Sequence, residues 1–378
     1  MQYFFIFGNH PELSTAELLS KLKTENINYS IIDQDADFLI LDIASEFNQN
    51  QLISELGGTI KIGLIKKKIN DLSPNTIAHE VEATDKKINF GISLYNKQTN
   101  LNKLGLQIKK LLKEKNVKCR FVTGKENPLS SVIVQSNILN KQGFEFVILK
   151  SDKAQYLGLT QTVQPYELFS HLDFGRPSRD DISGMLPPKL AQIMLNLAEL
   201  TSEASILDPF CGSGTVLQQS LLSGHKNVTG TDASKKAILS CQLNLEWLKS
   251  ELKKKFIYKI KLENVVTLEN SIKLNSIDAI ITEPFLGPPL RGNEPVKTIQ
   301  HISEELTKLY EKSFKSFKKI LKKNGVIVII IPEFKTLQSA EQINVRHILP
   351  DCFDIENVWH YSRPNQQVRR TIYKIVKS

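Results

Sequence analysis

The spacing of apolar residues divides this chain into two differently patterned parts. Beyond about residue 200, short apolar runs alternate with helix-like stretches: "ASILD", a Gly-rich turn and a helix, "NVTGTD" and a helix, "NVVTLENS", then "IDAIITEP". A long basic helical stretch at about 303–322 precedes the run "GVIVIIIP", and "DIENVWHYS" and "RRTIYKIV" end the chain. Strands alternating with helices predict an α/β fold, doubly wound around a mostly parallel sheet. The last two strands, with a short connection between them, predict an antiparallel C-terminal hairpin at the sheet edge.

The earlier part has another rhythm. "YFFIF" and "FLILDI" read as strands and "QNQLISEL" as a helix, and Ser14 with Glu17 forms a capping-box pattern that predicts a helix from about Ser14. This α+β unit spans 1–75. A second unit, 76–165, opens on the alternating strand "INFGISLY", followed by the amphipathic stretch "LNKLGLQIKKLLKEKN". Leu101, Leu104, Ile108, Leu111 and Leu112 form one side of that helix, and Lys103, Lys109, Lys110, Lys113 and Lys115 the other. Further strands are predicted at "VKCRFVT", "GFEFVILKS" and "AQYLGLTQTV", with a helix at "SSVIVQSNIL". Prolines, glycines and mixed charge make 166–185 a linker, and the helix "KLAQIMLNLAEL" leads into the α/β domain at 186–378.

Charge sharpens this division. The net charge is +9, but residues 1–75 carry −4, residues 76–165 carry +7, and the remainder +6. A lysine-faced helix on a small basic sheet suits an RNA backbone; an ordinary solvated helix face is the alternative. The composition, 41% hydrophobic and 24% charged, is that of a soluble globular protein, with no membrane-length apolar run. "MQYFFIFGNHPELS" lacks the features of a signal peptide. The four cysteines form no CxxC pair and the seven histidines no ligand spacing, so neither a disulfide framework nor a metal site is expected. A cytoplasmic protein follows.

Candidate chemistry sits at strand ends. "SILDPFCGSGTV" places Asp208 at the end of a strand and Gly212 and Gly214 in the turn before a helix, with Phe210 and Ser213 between. A dinucleotide fingerprint needs a third glycine where Leu217 stands, and a phosphate loop needs a lysine that is absent. A carboxylate there repels pyrophosphate and favours a ligand with positive groups. Asp232 ends the next strand, placed to accept hydrogen bonds from two ribose hydroxyls. A cationic cofactor bearing a ribose is S-adenosylmethionine. Asn270, at the end of "NVVTLEN", is a candidate for the adenine edge, although Asn also simply favours turns.

The fourth strand ends in "TEPFLG". An exocyclic base amine is a poor nucleophile, because its lone pair is delocalised into the ring. The Glu283 carboxylate and the rigid carbonyl before Pro284 can accept its two N–H bonds and aim the nitrogen at a methyl group, while Phe285 stacks on the base. Such catalysis rests on positioning and electrostatics. The alternative is a plain strand exit with proline as the breaker.

"DPFCGSGT", "GTD" and "TEPFLG" together resemble the Rossmann-like class I amino-methyltransferases. "GNHPELSTAEL", "LGGTIKIG", "FGISLY" and "LSSVIVQSNIL" resemble the N-terminal and THUMP regions of tRNA guanosine-N2 methyltransferases, including those acting at tRNA position 10. "FGRPSRDDISGMLPPKLAQIMLNLA" resembles their linker and first helix. The resemblance implies that Asp208, Gly212 and Gly214 hold the methionine part of the cofactor, Asp232 the ribose and Asn270 the adenine. It makes Glu283, Pro284 and Phe285 the catalytic motif, with Glu where Asp is usual, Phe for the second Pro and Leu286 in the aromatic place. It implies tRNA as partner, and for some relatives a small zinc-binding activating protein. Lys109, Lys110, Lys113, Arg120, Arg176, Arg179, Lys189, Arg291 and the Arg369–Arg370 pair are candidate RNA contacts. An RNA-binding scaffold with a degenerate site, or an amino-methyltransferase acting on another tRNA or rRNA guanosine, are the competing readings.

Overall fold

The computed structural model describes residues 1–81, 86–96, 100–179, 185–335, 340–362 and 366–378. The chain forms two compact units, one of Met1–Leu18 with Glu25–Leu168, the other of Leu19–Thr24 with Phe169–Ser378. Part of the predicted linker, 180–184, lies outside the described residues.

The first unit begins β1 (Gln2–Phe7), α1 (Pro11–Thr24), β2 (Tyr29–Gln34), β3 (Phe38–Ile43), α2 (Gln49–Ser54), β4 (Thr59–Lys68) and α3 (Pro74–Ala78). It continues β5 (Ile88–Tyr95), α4 (Leu101–Glu114), β6 (Cys119–Phe121), α5 (Ser131–Ile133), β7 (Phe144–Lys150) and β8 (Gln155–Val163); α6 (Tyr166–Phe174) follows, most of it within the second unit. The strands of the first unit form a single eight-stranded sheet in the order β2-β3-β1-β4-β8-β7-β5-β6. The stretches 1–75 and 76–165 therefore share one sheet. The antiparallel pair of β4 with β8 joins them, from Lys61 opposite Val163 to Lys68 opposite Tyr156. Pairing there covers two strand edges that would otherwise be open. Four neighbouring strands carry a buried polar cluster across the joint. Lys61 on β4 donates to Glu145 on β7 at 2.6 Å and to the Leu129 carbonyl at 2.8 Å. Thr160 on β8 and Ser93 on β5 donate to the same carboxylate.

Three local expectations change along the first half of the chain. α1 starts at Pro11, so Ser14 lies inside it and its hydroxyl donates to the His10 carbonyl. Glu17 makes no capping box; its buried carboxylate accepts the Gly57 and Gly58 amides at 2.7 and 2.8 Å. The linker region contains the two-and-a-half-turn helix α6, whose Phe169 and Leu172 are buried.

The second unit runs α7 (Pro188–Leu197), β9 (Ser205–Asp208), α8 (Thr215–Leu222), β10 (Asn227–Asp232), α9 (Lys235–Leu252), β11 (Tyr258–Leu262) and β12 (Ile277–Thr282). Then follow α10 (Val296–Ile320), β13 (Leu321–Lys335), β14 (Ala340–Gln342), α11 (Val345–Ile348), β15 (Phe353–Tyr361) and β16 (Val368–Lys377). The sheet order is β11-β10-β9-β12-β13-β16-β15. β11 through β13 are parallel, and β16 is antiparallel to both neighbours. The predicted doubly wound sheet with its C-terminal hairpin is present. The strand order reverses between β9 and β12, which makes their carboxyl ends a topological switch point. One face of the sheet packs on α10 through Tyr310, Phe314, Phe317 and Ile320; around the turn before α8, Cys211, Leu217, Cys241 and Leu245 form a second cluster.

One strand is not where the apolar pattern put it. "NVVTLEN" forms a 3-10 helical stretch, Val265–Asn270, and the third strand is "YKIKL" at β11. Lys259 and Lys261 alternate there with Tyr258, Ile260 and Leu262, as suits an edge strand.

Candidate active site

β9 delivers Asp208 into the interior at the switch point. The chain then turns through Gly212 (φ +50°) and Gly214 (φ +89°), the left-handed region that glycine enters at no steric cost. Gly214 is the N-cap of α8, and a Cβ there would sit 2.8 Å from Cys241 Sγ. At Gly212 the nearest atom to such a Cβ is the Phe210 carbonyl at 3.9 Å, so that backbone stays open to a ligand.

Asp208 is buried, and its Oδ1 accepts the Thr282 hydroxyl at 2.7 Å and the Phe210 amide at 3.2 Å. Burial pushes its carboxyl up to about 7; those two hydrogen bonds oppose the rise, and Asp232 and Glu283 add to it. Asp232, at the end of β10, accepts the Gly212 amide at 3.0 Å and the Ser234 amide at 2.8 Å. The carboxylate thus holds the glycine turn closed over its own strand.

β12 ends at Thr282, and Glu283 follows. Arg370 of β16 donates through Nε to Glu283 Oε1 at 2.6 Å, both side chains being 13% exposed. Pro284 is buried, while Phe285 is 56% exposed. The Tyr310 hydroxyl, from α10, donates to the Phe285 carbonyl at 2.6 Å and fixes the loop from below. Gly287 (φ +97°) then turns the chain.

A cavity of about 420 Å³ lies among these groups. Asp208, Phe210, Gly212, Ser213, Asp232, Glu283, Pro284, Phe285 and Arg370 line it. Ser178, Arg179 and Met185 of the linker, with Leu186 just beyond it, form another wall. Buried Asn244 clamps that wall: it accepts the Ser178 amide and donates to the Ser178 and Ser213 carbonyls, each at 2.9 Å. Three carboxyl groups, Asp208, Asp232 and Glu283, share the lining with Arg179, Lys236 and Arg370; Arg370 is paired with Glu283, so Asp208 and Asp232 beside the glycine turn are the groups that suit a cation. The cavity's volume falls in the range of small-molecule sites.

The predicted residues separate on this geometry. All three catalytic candidates and five cofactor candidates line one cavity, with Gly214 behind them at the cap of α8. Asn270 is not among the lining residues; it closes the 3-10 stretch. The turn after β11 is instead Glu263–Asn264, where the Glu263 amide donates to the Asp232 carbonyl at 3.0 Å. Arg179 is exposed at the cavity wall, 5.1 Å over the Phe174 ring. Arg176 is buried and donates to the Leu172 carbonyl and the Thr215 hydroxyl, so its charge does not reach the surface. Burial also lowers its proton affinity. Lys189 lies over the Phe169 ring, with its proton affinity likewise lowered by burial. Arg291 is exposed. Arg369 pairs with Glu333 at 3.3 Å, and Arg370 with Glu283. In the first unit Lys110, Lys113 and Arg120 are exposed and Lys109 partly so. Thr282, Tyr310 and Asn244 were not singled out from the sequence, and Arg370 was expected at phosphate. Among the described residues no group of three or more His, Cys, Asp or Glu is arranged to hold a metal ion, and no helix is long and apolar enough to cross a membrane.

The sheet order and its switch-point cavity are those of a Rossmann-like fold. Residues 176–348, within the second unit, match the family model UPF0020, described as RMKL-like, methyltransferase domain. Over nearly its whole length the chain is similar to the tRNA (guanine(10)-N2)-dimethyltransferase of Methanothermobacter thermautotrophicus, 24% identical over 356 residues, which are 89% of this chain and 91% of the relative. Among solved structures, TrmN from Thermus thermophilus shares the fold with a TM-score of 0.60 at 15% identity, covering 100% of both chains. SMU.472, complexed with SAH, gives 0.52 at 11% identity, covering 99% of this chain and 97% of that one.

Proposed function

We propose that this chain is an S-adenosylmethionine-dependent tRNA (guanine-N2) methyltransferase, acting at the position-10 guanosine named for its archaeal relative. The observation that carries the reading is the convergence of Asp208, Asp232 and Glu283, from the ends of β9 and β10 and just beyond β12, on one cavity. Asp208 would face the cofactor's ammonium, the open Gly212 turn would follow its methionine backbone, and Asp232 would take the ribose. The Glu263–Asn264 turn, tied to Asp232 through the Glu263 amide, stands beside Asn270 as a second candidate for the adenine edge; neither lines the cavity. When bound, the cofactor supplies a methyl group on a positively charged sulfur.

The chain's own part is positioning. Phe285 offers an exposed face on which a flipped-out base can stack. Glu283 accepts an N–H of the exocyclic amine, turning the nitrogen toward the methyl group, and receives the proton shed after transfer. Buried Pro284 and the Tyr310 bond to the Phe285 carbonyl keep these groups from drifting. A displacement of about 1 Å at such a centre costs on the order of 10²-fold in rate. The 76–165 stretch, with the Lys109–Lys110–Lys113 face of α4 and Arg120, is read as the THUMP-like grip on tRNA phosphates. A tRNA substrate makes the cytoplasm its place of work.

The test is transfer of labelled methyl groups to paired tRNA transcripts with guanosine or adenosine at position 10. Incorporation that depends on the guanosine is expected. Equal incorporation into both transcripts removes position 10 from the reading.

A further inference from the structure

The Glu283–Arg370 pair presents two kinds of hydrogen-bonding group on one side of the cavity. Among the described residues one oxygen of Glu283 is engaged, by Arg370 Nε at 2.6 Å. A carboxylate offers about four acceptor positions, so most of its capacity remains. Among the described residues Arg370 makes no other hydrogen bond, which leaves the terminal N–H groups of its guanidinium fork to donate. Both side chains are 13% exposed, so a polar group that met no partner beside them would be costly. Exposed Phe285 sets the plane in which a stacked base would lie.

The Watson–Crick edge of guanine reads, in order, the N2 amine (donor), N1–H (donor) and O6 (acceptor). We propose that Glu283 and Arg370 together form the template for this edge, an inference that rests on the methyltransferase reading above. The carboxylate accepts from N2–H and N1–H, and the guanidinium donates to O6. Adenine fails at the same place because its N1 is a lone pair facing the carboxylate. Arg370 is thus a specificity-determining residue as well as the positioning partner of Glu283. The pairing also accounts for a glutamate at the end of this strand: its extra methylene is held in one orientation by a fixed cation on β16.

The experiment uses the full chain and synthetic tRNAs carrying guanosine or 2,6-diaminopurine at position 10. Both bases have the 2-amino group, but the analogue replaces N1–H by a lone pair and O6 by an amine. Wild-type protein is expected to prefer guanosine in kcat/KM by about 100-fold. Arg370→Met should lose rate on both tRNAs, because Glu283 loses its fixed partner, but about tenfold more on guanosine than on the analogue, narrowing the preference, with cofactor affinity held within about twofold. Arg370→Lys, which keeps the charge but not the fork, should fall between them. An equal loss on both tRNAs would make Arg370 merely structural and overturn the proposal. So would wild-type rates on the two tRNAs within about threefold of each other, a comparison that needs no variant to fold. Failure of wild-type protein to methylate the guanosine tRNA while binding cofactor would instead overturn the functional reading, and the template with it.

Discussion

Replacing Asp208 by Asn separates the stability of this site from its function. The carboxyl is fully buried and is pushed from 3.8 up to about 7, while Asn keeps an oxygen to accept from Thr282 and the Phe210 amide. A group that binds its proton more tightly in the folded state costs the fold nothing below about pH 4. Stability is then lost as pH rises through the interval up to about 7. At about 1.4 kcal/mol per decade of proton affinity, the cost is about 1.5 kcal/mol at pH 5 and about 4 kcal/mol at pH 8. Asn escapes it. Denaturant unfolding of the variant against wild type should show an advantage that grows over this range, with the wild-type curve supplying the slope. Calorimetry with S-adenosylmethionine should show the opposite ranking, because the cation needs the ionised carboxylate. Wild-type affinity should weaken as pH falls below 7, and the variant should bind at least about 100-fold more weakly at pH 8. A stability difference that stays flat from pH 5 to pH 8, or an Asn variant with full affinity, would refute the assignment of Asp208 as a buried cation receptor.

Glu283→Gln should leave cofactor affinity within about twofold and lower methyl transfer by about 10²-fold or more, read by single-turnover transfer to tRNA. Gly214→Ala combines a forbidden φ of +89° with a Cβ 2.8 Å from Cys241 Sγ; denaturant unfolding should register a loss of about 2–4 kcal/mol. Lys61→Met strands Glu145, whose side chain is 0% exposed, and should cost the first unit about 3–5 kcal/mol by hydrogen exchange. Adding Glu145→Leu should recover part of that loss.

The second unit was legible where backbone and side chain say the same thing. The Gly212–Gly214 turn, Asp208 and Asp232 at strand ends and the proline after Glu283 all rest on local rules, and each sits where those rules place it. Strand β11 escaped because its lysines hide its alternation, and the apolar "NVVTL" beside it attracted the assignment that carried Asn270 along. The partners of the site were beyond local reading. Arg370 meets Glu283 from 87 positions away, and Thr282 meets Asp208 from 74. Arg176 and Arg179 look alike in the sequence, yet one is buried against α8 and the other exposed, a difference only packing decides. Ser14 and Glu17 satisfied the capping-box spacing, but the Gly57 and Gly58 amides drew the glutamate elsewhere.

The central claim is that Glu283 presents the N2 amine of a tRNA guanine to the cofactor. The most direct measurement is nucleoside mass spectrometry of an unmodified tRNA transcript after incubation with the full chain and S-adenosylmethionine. The account predicts N2-methylated guanosine, mapped to position 10 and absent with Glu283→Gln. A methyl group on a ring nitrogen or on adenine, or undiminished N2-methylguanosine from the Gln variant, would contradict it.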